Sequence, residues 1–378
     1  MKNSESIYTK IAKNGKNNII DIFFETQERS RAIVLFGAGF ALNSLLHRFE
    51  KNNFCDLLVC DNDTDKHNTR FNDKHTVLSL ETCINKAPDA LYVITAPKYF
   101  WEIKKDLEEK VGAENVCPID FECGHYFSGN EFIEYFTKNI NRFKNINHLF
   151  SDELSKKTYQ NVLYAHSTGL REDFEKACCV NDDWYLFKSL LKPTEKTTYV
   201  DCGTFDGDTV LLYHDRAGGK HGAIYAFEPD SMIIDSLIAT ISENGIENVT
   251  IIPKGVYSYS GKMRFTHGGV YSAVSHSNTS VKDNLIYSDI EVVKMDDELN
   301  GIPVSMIKMD LEGAELQALK GAENLIKINK PRLAICLYHN ASDLLEIPEY
   351  IHSIVPEYKL YVRHHSKSCT DTILYAIA

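Results

Sequence analysis

The chain has 378 residues, more than one average domain requires, so two domains are expected. Hydrophobic residues make up 43% and charged residues 25%, the balance of an ordinary globular protein, while a formal charge of −12 argues against binding a nucleic-acid polymer or an anionic membrane by charge. The opening segment lacks the apolar core of a signal peptide and no run is long enough to span a bilayer. Together with ten cysteines, none in a Cys-x-x-Cys pair, this reads as a cytoplasmic protein with reduced, mostly buried thiols, no membrane insertion and no structural zinc.

Apolar runs alternate with helical patterns in two stretches, the signature of parallel α/β sheets. The first predicts strands at 32–36, 57–60 and 90–95, helices at 41–52, 80–86 and 99–111, and a short strand at 116–119. The segment 123–195 breaks this rhythm, with helical spacing at 131–143, 152–163 and 182–191, and reads as a helical connector. The second rhythm predicts strands at 198–202, 223–227, 249–253, 305–310 and 332–337, with helices at 209–215, 232–244, 315–327 and 344–353. A hairpin of 359–363 and 372–377 closes it, and two more strands, 262–266 and 289–293, fall in an insertion between residues 255 and 304. The reading is therefore a Rossmann-like domain over 1–122, the connector over 123–195, and over 196–378 a parallel sheet ending in an antiparallel hairpin, the arrangement of class I methyltransferases.

The first strand of the second sheet runs into Asp201-Cys202-Gly203-Thr204-Phe205-Asp206-Gly207-Asp208-Thr209. Gly203 and Gly207 permit close backbone approach, and the turn delivers the unpaired N–H groups of a helix N-terminus, suited to a carboxylate. Asp201 is placed to help hold an ammonium, with Thr204, Phe205, Asp206 and Thr209 completing the loop. Phe227-Glu228-Pro229 ends the next strand, where an acidic side chain can accept from both ribose hydroxyls. The loop lacks Gly-x-Gly-x-x-Gly spacing, which favours S-adenosylmethionine over a nicotinamide dinucleotide. Ile307-Lys308-Met309-Asp310-Leu311-Glu312-Gly313-Ala314-Glu315 is an apolar strand running into an acid-rich turn. Asp310 is the candidate there for catalysis and for cofactor binding, and Glu312 for substrate, whereas Glu315 divides between function and a cap or exposed position.

These three segments (201–209, 227–229 and 307–322) resemble the signatures of the FkbM family of S-adenosylmethionine-dependent methyltransferases, over roughly residues 199–378. The resemblance implies O-methylation, often of sugars in glycans, lipids or natural products. Residues 331–338 depart from many members, which carry an acid near Cys336. His339-Asn340-Ala341-Ser342-Asp343 and Tyr361-Val362-Arg363-His364-His365 resemble a subset found in surface-polysaccharide gene clusters.

Methyl transfer to a hydroxyl requires alignment and a proton acceptor, and His339, after the fifth strand, is the candidate base. Arg363 and His364 are candidates for acceptor binding, and Val256 for lining the cofactor site. Asp310 and Glu312 offer an alternative, holding a divalent cation that acidifies the hydroxyl; no metal is included in the primary reading. In the N-terminal domain, Gly37-Ala38-Gly39 with Asp61-Asn62-Asp63 forms half of a nucleotide-binding fingerprint, with Leu42 in the third glycine position. The expected activity is O-methylation of a sugar or glycan precursor in surface-polysaccharide biosynthesis, with a small-molecule or glycan acceptor. The alternatives are a nucleotide-sugar or NAD-dependent enzyme run by the N-terminal domain, and a non-catalytic cofactor-binding module. An oligomer is compatible with either.

Overall fold

The computed structural model describes residues 6–14, 23, 30–54, 56–96, 99–117, 119, 130–179, 184–186, 189–267, 273–274 and 286–378. The chain divides into two compact units. One comprises Met1–Ile140, Gln160–Ala177 and Ser366–Cys369; the other comprises Asn141–Tyr159, Cys178–His365 and Thr370–Ala378. The helices of the 123–195 segment are thus shared between both units.

The first unit contains α1 (Ile7–Asn14), β1 (Ile33–Phe36), α2 (Phe40–Lys51), β2 (Leu57–Cys60), β3 (Val77–Leu78), α3 (Leu80–Lys86), β4 (Leu91–Ile94), α4 (Phe100–Val111) and α5 (Asn130–Lys138). Its sheet is parallel, in the order β3-β2-β1-β4. All four residues of β1 are buried, because a central parallel strand is covered on both faces. Ile33 and Leu35 join Leu42, Leu45 and Phe49 in one core, while Val34 and Phe36 join Tyr92, Phe100 and Leu107 in the other. The expected strand at 116–119 forms only isolated bridges, from Val116 to Tyr92 and from Ile119 to Leu170.

The expected helix over 131–143 is interrupted and forms α5 and α6 (Ile140–Leu149). Next come α7 (Glu153–Thr168) and α8 (Arg171–Ala177), the latter not anticipated; Gly169, at φ 70°, separates the two. Of the expected helix at 182–191, Trp184–Leu186 forms a single 3-10 turn, and residues 182, 183, 187 and 188 lie outside the described residues.

The second unit continues with β5 (Tyr199–Cys202), α9 (Asp208–Arg216), β6 (Ile224–Phe227), α10 (Ile234–Glu243), β7 (Val249–Ile252), β8 (Gly255–Val256), β9 (Gly261–His267), β10 (Ala273–Val274), β11 (Ile286–Val293) and α11 (Met295–Glu298). It ends with β12 (Met306–Met309), α12 (Glu315–Gly321), α13 (Glu323–Asn329), β13 (Arg332–Cys336), α14 (Asp343–Ile354), β14 (Lys359–His364) and β15 (Thr372–Ile377). The main sheet has the order β14-β15-β13-β12-β5-β6-β7. Its strands run parallel except β15, which lies antiparallel to both β13 and β14. That is a doubly wound sheet closed by a reversed hairpin, the class I methyltransferase arrangement. The insertion builds a separate sheet in the order β10-β9-β11-β8. The helix expected over 315–327 is broken at Ala322, whose φ of −115° is not helical. Here Gly321 packs its Cα against the Tyr257 carbonyl, where no Cβ fits. Among the described residues, no helix is long and apolar enough to cross a membrane.

Candidate cofactor and acceptor site

The order of connection reverses between β5 and β12, and the crevice beyond the carboxyl ends of strands at such a point is where open α/β sheets bind ligands. Gly203, after β5, and Asp310, after β12, meet there. A Cβ on Gly203 would collide with the Asp310 carbonyl, and φ is 77°, so the glycine is required by the neighbouring strand end. The turn is tied to β6 by the N–H groups of Gly203 and Thr204, both donating to the Phe227 carbonyl at 3.0 and 3.1 Å. Gly207, at φ 91°, leads into α9, and the Asp206 carboxylate accepts from the Asp208 N–H at 3.3 Å.

Asp201 is fully buried. Its carboxylate accepts from the Thr209 hydroxyl at 2.5 Å and the Tyr199 hydroxyl at 3.1 Å, and faces the Lys308 ammonium at 3.1 Å. Lys308 in turn donates to the Gly203 carbonyl at 2.6 Å. Burial alone would lower the Lys308 pKa, but Asp201 and then Asp310 outweigh it and hold the ammonium charged. Asp201 therefore braces the loop from beneath, and it does so with Lys308.

Glu228 stands at the end of β6. Its two oxygens accept from the Phe205 N–H at 2.9 Å and the Asp230 N–H at 2.8 Å, and burial pushes its carboxyl pKa up. Each carboxylate oxygen has a second lone pair, so a vicinal diol can still be bound. A strand-end carboxylate, a left-handed loop and a helix N-terminus together fit the ribose and amino-acid ends of S-adenosylmethionine. Pro229 is half-buried beside Glu228. Val256 is buried in β8, opposite Val293 of β11.

Asp310, Glu312 and His339 come together. The His339 Nε2 lies 3.4 Å from Asp310 Oδ1 and 3.5 Å from Glu312 Oε1, and its Nδ1 lies 2.8 Å from Glu315 Oε1. Glu315 is not an exposed residue: it is fully buried and also accepts from the Leu311 N–H at 2.7 Å, closing the turn before α12. Burial alone would depress the His339 pKa, but Glu315 and then Glu312 raise it well above the ordinary imidazole range. Burial raises the Glu312 carboxyl despite His339. Asp343, at the start of α14, accepts from the Asn340 N–H at 2.8 Å; burial, reinforced by Glu315, pushes its pKa up to about 8.

Asp310 has two further partners, the Tyr338 hydroxyl at 2.9 Å and the Tyr185 hydroxyl at 3.4 Å. Four residues around this site have left-handed backbones without being glycine: Tyr185 at φ 54°, Phe205 at 51°, Glu312 at 49° and Asp371 at 60°.

Arg363 and His364 are buried elsewhere in the second unit. Arg363 donates to Asp152 Oδ2 and to Ser155 Oγ, both at 2.7 Å, and His364 Nδ1 pairs with Thr372 Oγ1 at 2.8 Å across the hairpin. Sequence reasoning passed over Lys308, Tyr338 and Tyr185. A lysine inside a four-residue strand buried throughout was a legible sign of a paired charge, as was a tyrosine before His339; Tyr185, from a distant segment, carried no such sign.

In the first unit, the Asp61 carboxylate is occupied by the chain's own donors. It accepts from the N–H groups of Ala38 at 2.7 Å and Asp63 at 2.9 Å and from Lys66 Nζ at 3.1 Å. Gly37, at φ 119°, has Ala96 Cβ where its own Cβ would stand, and Leu42 is buried in the core.

Residues 201–360, from β5 into β14, match the family model described as the methyltransferase FkbM domain. This segment is similar to the FkbM methyltransferase domain. The fold of the whole chain is similar to that of the crystal structure of methyltransferase FkbM from Methylobacillus flagellatus KT, at 21% identity and a TM-score of 0.70, covering 98% of this chain and 99% of that one. Two further solved structures overlap only with about half of the chain. An rRNA methylase from Streptococcus thermophilus has 16% identity and a TM-score of 0.32, covering 49% of this chain and 87% of that one. Aeropyrum pernix fibrillarin with S-adenosyl-L-methionine has 10% identity and a TM-score of 0.33, covering 50% and 70%. No curated protein matches the chain. The Asp201 loop, Glu228, and the Asp310–His339 cluster all lie within the matched segment.

Proposed function

We propose that the FkbM domain transfers the methyl group of S-adenosylmethionine to a hydroxyl of a sugar or glycan precursor, in surface-polysaccharide biosynthesis. The observation that carries this reading is the meeting of Gly203 and Asp310, which sets the cofactor loop directly beside the carboxylate–imidazole cluster. When bound, the cofactor supplies an electrophilic methyl on a sulfonium. Glu228 holds the ribose hydroxyls, and the loop and the first turn of α9 receive the amino-acid end. Asp310, Glu312 and His339 bind the acceptor hydroxyl and make it nucleophilic, by receiving its proton or by holding a cation against it. Positioning of this kind is worth about 7–11 kcal/mol where alignment is good. A saccharide acceptor is supported by the family resemblance and by the polar cluster of Asp310, Glu312 and His339. Arg363 and His364, buried among chain partners, are left out of acceptor binding in this proposal.

Calorimetric titration of S-adenosylmethionine and S-adenosylhomocysteine into the whole chain tests the reading. Saturable binding is expected, weakened at least tenfold in Glu228→Ala and less in Glu228→Gln, which keeps one acceptor oxygen. His339→Ala is expected to bind the cofactor normally and lose most turnover on glycan acceptors. Absence of binding by the folded wild type would overturn the proposal.

A further inference from the structure

We propose that Asp310, Glu312 and His339 are the three protein ligands of a divalent first-row transition-metal ion, with Glu315 orienting the imidazole. Its position beside the acceptor rests on the methyltransferase reading above; the site itself does not. One ligand atom from each of the three residues lies within 4.8 Å of the others. The two Nε2–oxygen separations, 3.4 and 3.5 Å, are longer than the usual N–H···O range of about 2.7–3.2 Å. They match the spacing of two donor atoms that each stand about 2.1 Å from one ion at a near-tetrahedral angle. An imidazolium N–H directed at one carboxylate leaves the other unmet, whereas a divalent ion meets both at once.

The other side of the ring supplies the second argument. Glu315 Oε1 sits 2.8 Å from Nδ1 and is itself fixed by the Leu311 N–H at 2.7 Å. A buried carboxylate on Nδ1 holds the proton there, so that an ion displacing the Nε2 proton meets a lone pair directed at Asp310 and Glu312, the arrangement that orients metal-bound histidines. Tyr338 and Tyr185, bonded to the two oxygens of Asp310, fix that carboxylate in the same way. The cluster of Glu315, His339 and Asp343 also has ligand-compatible spacing, but all three are buried and Asp343 is engaged with Asn340, so an acceptor cannot reach an ion there. One imidazole with two carboxylates suits manganese, iron or zinc better than an all-oxygen calcium or magnesium cage. Three protein ligands leave open positions, which an acceptor hydroxyl can occupy.

The test uses Mn2+ and the full chain. Electron paramagnetic resonance should show loss of the free-ion signal at one equivalent, and pulsed measurements should show nitrogen-14 modulation from one imidazole. His339→Gln should remove the modulation and weaken binding more than tenfold. Glu315→Gln should weaken binding 10–100-fold while keeping the modulation. A chain that binds S-adenosylmethionine but takes up no Mn2+, or binds Mn2+ without nitrogen modulation, overturns the metal site and leaves the transferase reading intact. A chain that binds Mn2+ through His339 and no S-adenosylmethionine upholds the site and overturns the transferase reading.

Discussion

Lys308 shows how one side chain organises the cofactor loop. It is buried with its ammonium between the Asp201 carboxylate and the Gly203 carbonyl, and so links β12 to the loop after β5. Removing one partner of a buried ion pair leaves the other charged without compensation, at a cost of about 3–5 kcal/mol. Lys308→Met should therefore lower the unfolding free energy by that order, as read from urea unfolding. Adding Asp201→Asn should recover part of the loss, because the stranded carboxylate is then neutral. At this scale the sequence was readable where a residue type contradicts its surroundings. Asp310 and Glu228 at strand ends stood out for that reason, and Lys308 could have. Glu315 could not be assigned, since its burial depends on His339, which arrives from the next strand in the sheet.

Among the elements, strands were more legible than helices. Buried parallel strands such as β5 and β12 are short apolar runs bounded by turn residues, and their limits can be read within a residue or so. The break within 315–327 follows from a tertiary contact, α12 ending where the Tyr257 carbonyl presses on Gly321, and the glycine alone does not announce it. The hairpin of β14 and β15 was legible, but its anchoring was not. Arg363 joins β14 to the start of α7 through Asp152, and Ser155 Oγ also accepts from the Val362 N–H at 3.1 Å. Burial works against ionisation of Asp152, but bonds from Arg363 and Ser155 outweigh it and lower its pKa. A lowered carboxyl pKa stabilises the fold above the unfolded value of about 3.9 and is lost as pH falls through the folded one. Asp152→Asn should therefore destabilise the protein at neutral pH and flatten the acid limb of its stability profile below about pH 4. Because Asp152 is partly exposed, the loss should be about 1 kcal/mol or less in thermal melts across pH.

For the whole molecule, two units and one segment matching the FkbM methyltransferase model make a specific expectation for ligand response. A ligand that binds only the folded state stabilises it by about 2.7 kcal/mol at a hundredfold excess over its Kd. With S-adenosylmethionine, slowed amide exchange should concentrate in residues 201–209, 224–230 and 306–315. Protection centred instead on residues 37–39 and 61–67 would move the cofactor to the first unit. The division of α7 between units was not legible, since a continuous helix gives no local signal of it. The left-handed backbones of Tyr185, Phe205, Glu312 and Asp371 bear on a different property, tolerance to change. Residues held in such conformations cost of the order of 1–3 kcal/mol each, against a net stability of roughly 5–15 kcal/mol for a whole domain. Replacements that relax these four turns raise heat resistance and blur the placement of the carboxylates. Selection for thermostability alone would therefore drift this enzyme toward a sturdier, slower form, and the four positions are where that drift would begin.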